Sequence, residues 1–292
     1  MHNKIIYLMS GRPHLPYLLT SLRTLRQSGN GFPVEVHAWE ESFPMVEQIA
    51  YDTILNVVAR KRTPKYRGKN DQFLDKIDLV REQKPYCRVL YLDADTTIHG
   101  SLLPLFNALE GSELVLTQFC DWVTNTGVIA NRVHRLLGFM EDERRRIAVE
   151  ALLQHPFPSP NGGIWAANSG SFLLDLWYDK TNAINDKMFI ADEVVLHELM
   201  VDWAASIEVF FNGVFNCSPK YQPKSLKDED VVVRHYHGDS NVRPDKSQRG
   251  WDLWRPIWYE CLEANIGNVR DWIEPVVQEN KWMRQLPEVQ PR

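Results

Sequence analysis

No stretch of the 292 residues is apolar for long enough to cross a membrane, and no two cysteines are spaced as C-x-x-C. The apolar run near the start, Ile5 to Met9, stops at Ser10-Gly11-Arg12-Pro13 and is too short for a span or a signal-peptide core. Cys87, Cys120, Cys217 and Cys261 lie far apart, so neither a disulfide framework nor a zinc site is indicated, and a reducing compartment, the cytoplasm, is the expected location. Net positive charge is also missing. At −5 the chain has no overall attraction for polyphosphates or anionic membranes, so there is no strong nucleic-acid or membrane signal. Internal repeats, low-complexity tracts and linkers are absent as well. The expected organisation is one α/β domain over residues 1–245, with a helical extension over 246–292 packed on it.

Apolar residues make up 44 % of the chain, enough for a real core. Lys4 to Met9 reads as a buried strand, Tyr17 to Gln27 as a helix with Leu18, Leu19, Leu22 and Leu25 on one side, and Val34 to Trp39 as a second strand. This β-α-β opening predicts a doubly wound, mostly parallel sheet whose ligands sit at the carboxyl ends of the strands. The loop after Met9 is therefore a candidate nucleotide contact. Ile54 to Val58 reads as a short strand, followed by a basic loop from Arg60 to Lys69 and a helix from Asp71 to Gln83. Further strands are expected at Arg88 to Leu92, Leu114 to Thr117 and Val231 to His235. Helices are expected within Arg132 to Leu153, near Phe172 to Tyr178 and over Asp192 to Ala204. The charge run Glu141 to Arg146 reads as a solvated helix face. Trp251, Trp254, Trp258, Trp272 and Trp282 read as a helical cover on the sheet.

The strand Arg88 to Leu92 runs straight into Asp93-Ala94-Asp95-Thr96-Thr97. Two aspartates on a tight turn after a rigid strand can present oxygens to one divalent ion, the ligand type that Mg²⁺ and Mn²⁺ prefer. Such an ion bridges to a diphosphate and neutralises the charge of a departing nucleoside diphosphate. The run LDADTTI also fits the D-x-D-x-T of haloacid-dehalogenase-type phosphatases, in which the first Asp is a nucleophile. That motif belongs near the start of its domain, however, and here earlier strands precede it. Downstream, His235 and His237 close the strand VVVRH, and residues i and i+2 share a strand face. One imidazole can complete a metal shell, and mixed carboxylate and imidazole ligation suits Mn²⁺ somewhat better than Mg²⁺. Arg243-Pro244 and Lys246 then supply cations suited to phosphate.

These pieces together resemble the nucleotide-diphospho-sugar transferases of the GT-A fold, especially the glycogenin and lipopolysaccharide-galactosyltransferase type, glycosyltransferase family 8. That family has a strand and D-x-D, an N-x-G segment, an Asp-containing helix start and an H-x-x-G-x-x-K-P loop. The counterparts here are Asp93 and Asp95; Asn161-Gly162-Gly163; Asp192-Glu193; and His235 to Gly238 with Arg243-Pro244, in the same order. The resemblance implies a GT-A-like α/β fold and Asp93, Asp95 and His235 as ligands of Mn²⁺ or Mg²⁺. Gly238 and Arg243 fall at the diphosphate, Lys76 (with Lys69 as its competitor) at the donor phosphate or sugar, and Met9 and Ser10 at the nucleoside through backbone groups. Asn161 and Gly163 fall at the sugar, and Asp192 at its reacting face, where a helix cap is the alternative role. Two extra residues before Arg243, and Arg in place of Lys, depart from the pattern. A second N-x-G at Asn125 competes with Asn161.

The implied activity is metal-dependent transfer of a hexosyl or pentosyl group from a nucleoside diphosphate, UDP favoured, to an acceptor hydroxyl with retention of configuration. Acceptor contacts are expected within Asp121 to Pro160, among Trp122, Arg132, His134 and His155. The alternatives are a phosphatase of the dehalogenase type and a non-catalytic sugar-nucleotide-binding protein.

Overall fold

Ile5, Tyr7 and Met9 project to one side of a strand and Ile6 and Leu8 to the other, and all five are buried. A strand apolar on both faces belongs inside a sheet covered twice. The computed structural model describes residues 2–65, 70–83, 86–118, 143, 160–186, 191–211, 213–237, 247–280 and 283. Its strands in chain order are β1 (His2–Met9), β2 (Val34–Trp39), β3 (Val57–Arg62), β4 (Cys87–Leu92), β5 (Thr96–Ile98), β6 (Leu114–Gln118), β7 (Pro160–Asn168), β8 (Ile207–Phe210) and β9 (Val233–His235). The helices are α1 (Leu15–Gln27), α2 (Phe43–Ala50), α3 (Asp71–Arg81), α4 (Leu103–Ala108), α5 (Phe172–Ile184), α6 (Ala191–Asp202), α7 (Gln248–Glu263) and α8 (Val269–Glu279).

Seven strands form the main sheet in the order β3-β2-β1-β4-β7-β6-β8. The neighbours β3, β2, β1 and β4 are parallel, as are β6 and β8, while β7 runs antiparallel to both β4 and β6. One face carries α1, α2, α4, α7 and α8, and the other α3, α5 and α6. The α/β class with a mostly parallel central sheet flanked by helices is therefore present. Among the described residues no helix is long and apolar enough to cross a membrane.

Leu15, Leu18, Leu22 and Leu25 recur at helical spacing and bury α1 against the sheet. Its outer side is covered by α7, where Trp254 packs on Tyr17 at 5.3 Å between ring centroids and donates to Thr20 Oγ1 at 2.9 Å. The tryptophans of α7 and α8 thus join the same core as β1. Trp282 lies outside the described residues, as does the segment Arg132 to Leu153 with its charge run.

The strand expected at Ile54 to Val58 is displaced. Asp52 Oδ1 accepts from the Ile54 and Leu55 backbone N–H groups at 2.8 and 3.4 Å, making a turn there and leaving Ile54 exposed. The strand β3 begins at Val57 instead and takes in Arg60 to Arg62, the start of the expected basic loop. Arg62 enters an interior position because Asp75, Asp78 and Glu82 on α3 meet its guanidinium. Trp39 Nε1 donates to the second Asp75 oxygen at 2.8 Å. This cluster ties α3, which packs over β1 and β4, to the edge strand β3 and so helps to set where Lys76 lies. Val231 and Val232 likewise precede β9 rather than belong to it.

Candidate metal centre and its cleft

The turn after β4 leads into the short strand β5, which pairs antiparallel with β9, Thr96 opposite His235. This pairing brings two parts of the chain roughly 140 residues apart into register. The Tyr236 N–H donates to the Asp95 carbonyl at 2.9 Å, and the Asp93 N–H donates to the Gly163 carbonyl at 2.7 Å. As a result one ligand atom from each of Asp93, Asp95 and His235 falls within 4.8 Å of the others. His235 Nε2 stands 3.2 Å from Asp95 Oδ1 and 3.7 Å from Asp93 Oδ2. The imidazole is the buried side of the centre, while Asp93, with a third of its side chain exposed, is the open side.

The start of β7 supplies the wall between this centre and a second charged group. A side chain at Gly163 would collide with His235, Asp93 and Asn161, and one at Gly162 with Asp192 and Lys76. Successive strand residues face opposite ways, so the Gly162-Gly163 pair makes room on both sides at once. Lys76 Nζ lies 2.5 Å from Asp192 Oδ2, with both side chains buried. Asp192 sits in the first turn of α6, and Trp177 Nε1 donates to its backbone carbonyl at 2.9 Å. Its carboxylate is thus turned to Lys76.

Among the described residues, acids outnumber cations at this point. Burial works against the Lys76 charge, but Asp192 and Asp93 outweigh it and raise the ammonium pKa. Burial raises the Asp192 carboxyl despite Lys76, helped by the like charges of Glu193 and Asp93. It raises Asp93 as well. Asp95 is pushed up by burial too, yet the facing His235 outweighs this and holds it at about 2. Burial would lower His235, but Asp95 and Asp93 reverse the sign. A divalent cation among these oxygens and the imidazole would relieve this excess of negative charge, and the donor set fits Mn²⁺ or Mg²⁺.

A cleft of about 350 Å³ opens beside the centre, and Leu8, Ser10, Phe73, Lys76, Tyr91, Asp93 and Asp95 are among its lining residues. Of the residues singled out in the sequence, Asp93, Asp95 and His235 converge, and Lys76 and Ser10 face the cleft. The Met9 side chain is in the core, with its neighbours Leu8 and Ser10 at the cleft instead. Asn161 is buried and its amide is engaged: Nδ2 donates to Glu193 Oε1 at 2.7 Å, and Oδ1 accepts from the Gly163 N–H at 3.0 Å. Gly238, Arg243, Lys69 and Asn125 lie outside the described residues, as do Trp122, Arg132, His134 and His155. Sequence reading did not pick out Tyr91, whose hydroxyl donates to Asp93 Oδ1 at 2.9 Å, nor Asn216, whose Oδ1 stands 3.0 Å from His235 Nδ1. Strand alternation from Asp93 back to Tyr91 could have found the first. Nothing in the sequence marks the second.

The sequence matches no protein-family model and no curated protein. The fold has counterparts among solved structures. Galactosyltransferase LgtC, in complex with donor and acceptor sugar analogues, aligns at TM-score 0.58 and 14 % identity over 88 % of this chain and 95 % of that one. The apo form of mouse xyloside xylosyltransferase 1 aligns at 0.55 and 11 % over 83 % of this chain and all (100 %) of that one. The glycosyltransferase GlyE of Streptococcus pneumoniae TIGR4 aligns at 0.55 and 12 % over 91 % and 64 % respectively. With strand order, cleft and acidic turn in place, the chain has the GT-A fold of the nucleotide-sugar glycosyltransferases.

Proposed function

We propose that this chain is a divalent-cation-dependent glycosyltransferase that moves a hexosyl or pentosyl group from a nucleoside-diphosphate donor, UDP favoured, to an acceptor hydroxyl with retention of configuration. The observation that carries the reading is the convergence of Asp93, Asp95 and His235 at the open end of β4, beside a cleft that also holds Lys76. When bound, Mn²⁺ or Mg²⁺ supplies charge neutralisation for the leaving diphosphate.

The remaining work is positioning and electrostatics. Ser10 and the end of β1 border the nucleoside. Lys76 holds a donor phosphate, which gives its ammonium a second anion and loosens its hold on Asp192. Asp192 then steadies positive charge at the anomeric carbon or adds to it as a nucleophile. Asn161 and Gly163 shape the sugar side. Gly238 and Arg243 grip the diphosphate in this reading, by resemblance alone. The acceptor contacts fall in the segment after β6. Cytoplasmic residence goes with the same proposal, supported by the wide spacing of the cysteines.

The test is a screen of nucleotide sugars for hydrolysis and thermal shift, with and without Mn²⁺. A donor at a hundredfold excess over its Kd stabilises the fold by about 2.7 kcal/mol. A metal-dependent shift, with turnover abolished in Asp93→Asn, is the expected result. Turnover of simple phosphate esters without preference for nucleotide sugars would point to the phosphatase. Donor binding with no turnover, unaffected by Asp93→Asn, would point to a binding protein.

A further inference from the structure

Asn216 belongs to none of the motifs, yet it is wholly buried and its side-chain amide is turned to the residues around the candidate metal centre. It is placed there by its neighbour: the Cys217 N–H donates to the Val233 carbonyl at 2.9 Å, and the His235 N–H donates to the Cys217 carbonyl at 3.0 Å. The Asn216 amide reaches three groups. Its Nδ2 is 2.9 Å from Thr117 Oγ1 and 3.1 Å from Asn161 Oδ1, and its Oδ1 is 3.0 Å from His235 Nδ1.

The backbone of β7 determines which end of that amide is which. Thr117 Oγ1 gives its single proton to the Ile164 carbonyl at 2.8 Å, so toward Asn216 it can only accept. The Gly163 N–H can only donate, and at 3.0 Å it fixes Asn161 Oδ1 as an acceptor, while Asn161 Nδ2 is taken by Glu193 at 2.7 Å. Both neighbours therefore require a donor from Asn216, and its Nδ2 is turned to them. The amide oxygen is left for His235. Since an amide oxygen only accepts, Nδ1 always carries a proton, and in the neutral ring, the form that can bind a cation, the Nε2 lone pair is aimed at Asp93 and Asp95.

This matters because the two carboxylates on their own favour the other tautomer. With its proton on Nε2, the ring would donate to Asp95 at the present 3.2 Å and could not bind a cation. We propose that Asn216 is a positioning residue, locked by Thr117 and Asn161, that holds His235 in the Nδ1–H tautomer and presents Nε2 as a ligand for a divalent cation between Asp93 and Asp95. The inference rests on the metal-centre reading above. The class of contact is the familiar outer-shell one, in which the second ring nitrogen of a ligating histidine is hydrogen-bonded and loss of the partner costs roughly 10- to 100-fold in metal affinity.

Two measurements test it on the full chain. In metal-free protein labelled with ¹⁵N-histidine, at alkaline pH where the ring is neutral, His235 should give the Nδ1–H signature. Asn216→Leu should move it toward Nε2–H. Direct Mn²⁺ titration by calorimetry should show the wild type binding, Asp93→Ala not binding, and Asn216→Leu weakened by roughly 10- to 100-fold. Asn216→Asp keeps an oxygen for Nδ1 but loses the donor that Thr117 and Asn161 require, so it should retain the Nδ1–H signature and bind Mn²⁺ more tightly than the leucine variant though less tightly than the wild type, which covers the case in which leucine unfolds the chain. An Nε2–H signature in the wild type overturns the inference, as does Asn216→Leu binding Mn²⁺ as tightly as the wild type. If the wild type binds no Mn²⁺, the metal-centre reading falls with it, and the two failures are told apart by that single control.

Discussion

Lys76 Nζ and Asp192 Oδ2 are 2.5 Å apart, with 6 % and 0 % of their side chains exposed, and they come from helices that reach the sheet independently, α3 and α6. Breaking a buried pair by removing one partner leaves the other charged in a poor solvent, at a cost of about 3–5 kcal/mol. Lys76→Met should therefore unfold at clearly lower urea than the wild type, and Lys76→Met/Asp192→Leu should recover most of the loss. Donor turnover should fall by more than about 100-fold in both variants, since the first removes the proposed phosphate contact and the second the proposed acid as well. Equal unfolding midpoints for the single and double variants would mean that the pair is not coupled.

Gly163 gives a probe that acts on geometry rather than charge. A methyl group there would press on His235 and Asp93, whereas at Gly31 it would meet nothing within 4 Å. Gly163→Ala should weaken Mn²⁺ binding by about 10-fold or more through displacement of these two ligands. Gly31→Ala should leave binding unchanged. Calorimetric titration of both variants checks the difference; equal affinities would show that the ligands can yield to the methyl.

The fold and the centre were legible in the sequence to different depths, for physical reasons. Asp93 and Asp95 could be placed because a run of apolar residues, Val89 to Leu92, ends at them, and a strand end in a parallel sheet is where ligands gather. His235 could be placed because it closes the apolar run Val231 to Val233 and because the segment from His235 to Gly238 resembles the H-x-x-G loop of the family. The β5–β9 pairing that joins the two was not visible, since three-residue strands carry too little pattern to register. The edge strand β3 starts three residues and ends four residues later than expected, because the charge of Arg62 reads as loop until its acidic partners on α3 are known. Asn216 was invisible for a deeper reason: its role lies in its partners, and those come from β6, β7 and β9 only once the sheet has formed.

Arg62 offers a third test, of the frame that carries Lys76. Its guanidinium meets Asp75 at 2.6 Å and Glu82 at 2.7 Å, and lies 3.4 Å from Asp78. Asp75 is held by Trp39 as well, so Arg62→Met would leave two buried carboxylates with reduced compensation, at about 3–5 kcal/mol. Because α3 then loses its anchor on β3, donor affinity should fall along with stability. Urea denaturation and donor titration on the same samples check both. A drop in stability with donor affinity intact would separate the frame from the cleft.

Glu35 on β2 lies 3.1 Å from His37 Nε2 and 3.3 Å from Lys4 Nζ. The hydrogen bond from His37, with Lys4 alongside, outweighs burial and holds the Glu35 carboxyl at about 2, against 4.5 for the free side chain. Between those values the unfolded chain takes up a proton at this site that the folded chain does not, so stability falls as pH drops from 4.5 toward 2. Above 4.5 the contribution is fully present. Partial exposure screens it, and about 1 kcal/mol is the expected size. Glu35→Gln should therefore be about 1 kcal/mol less stable than the wild type at neutral pH, and the gap should close below the folded pKa, because both side chains are then uncharged. Urea unfolding at a series of pH values reads this directly, and a gap that persists unchanged at the acid end would show that packing, not charge, accounts for the loss.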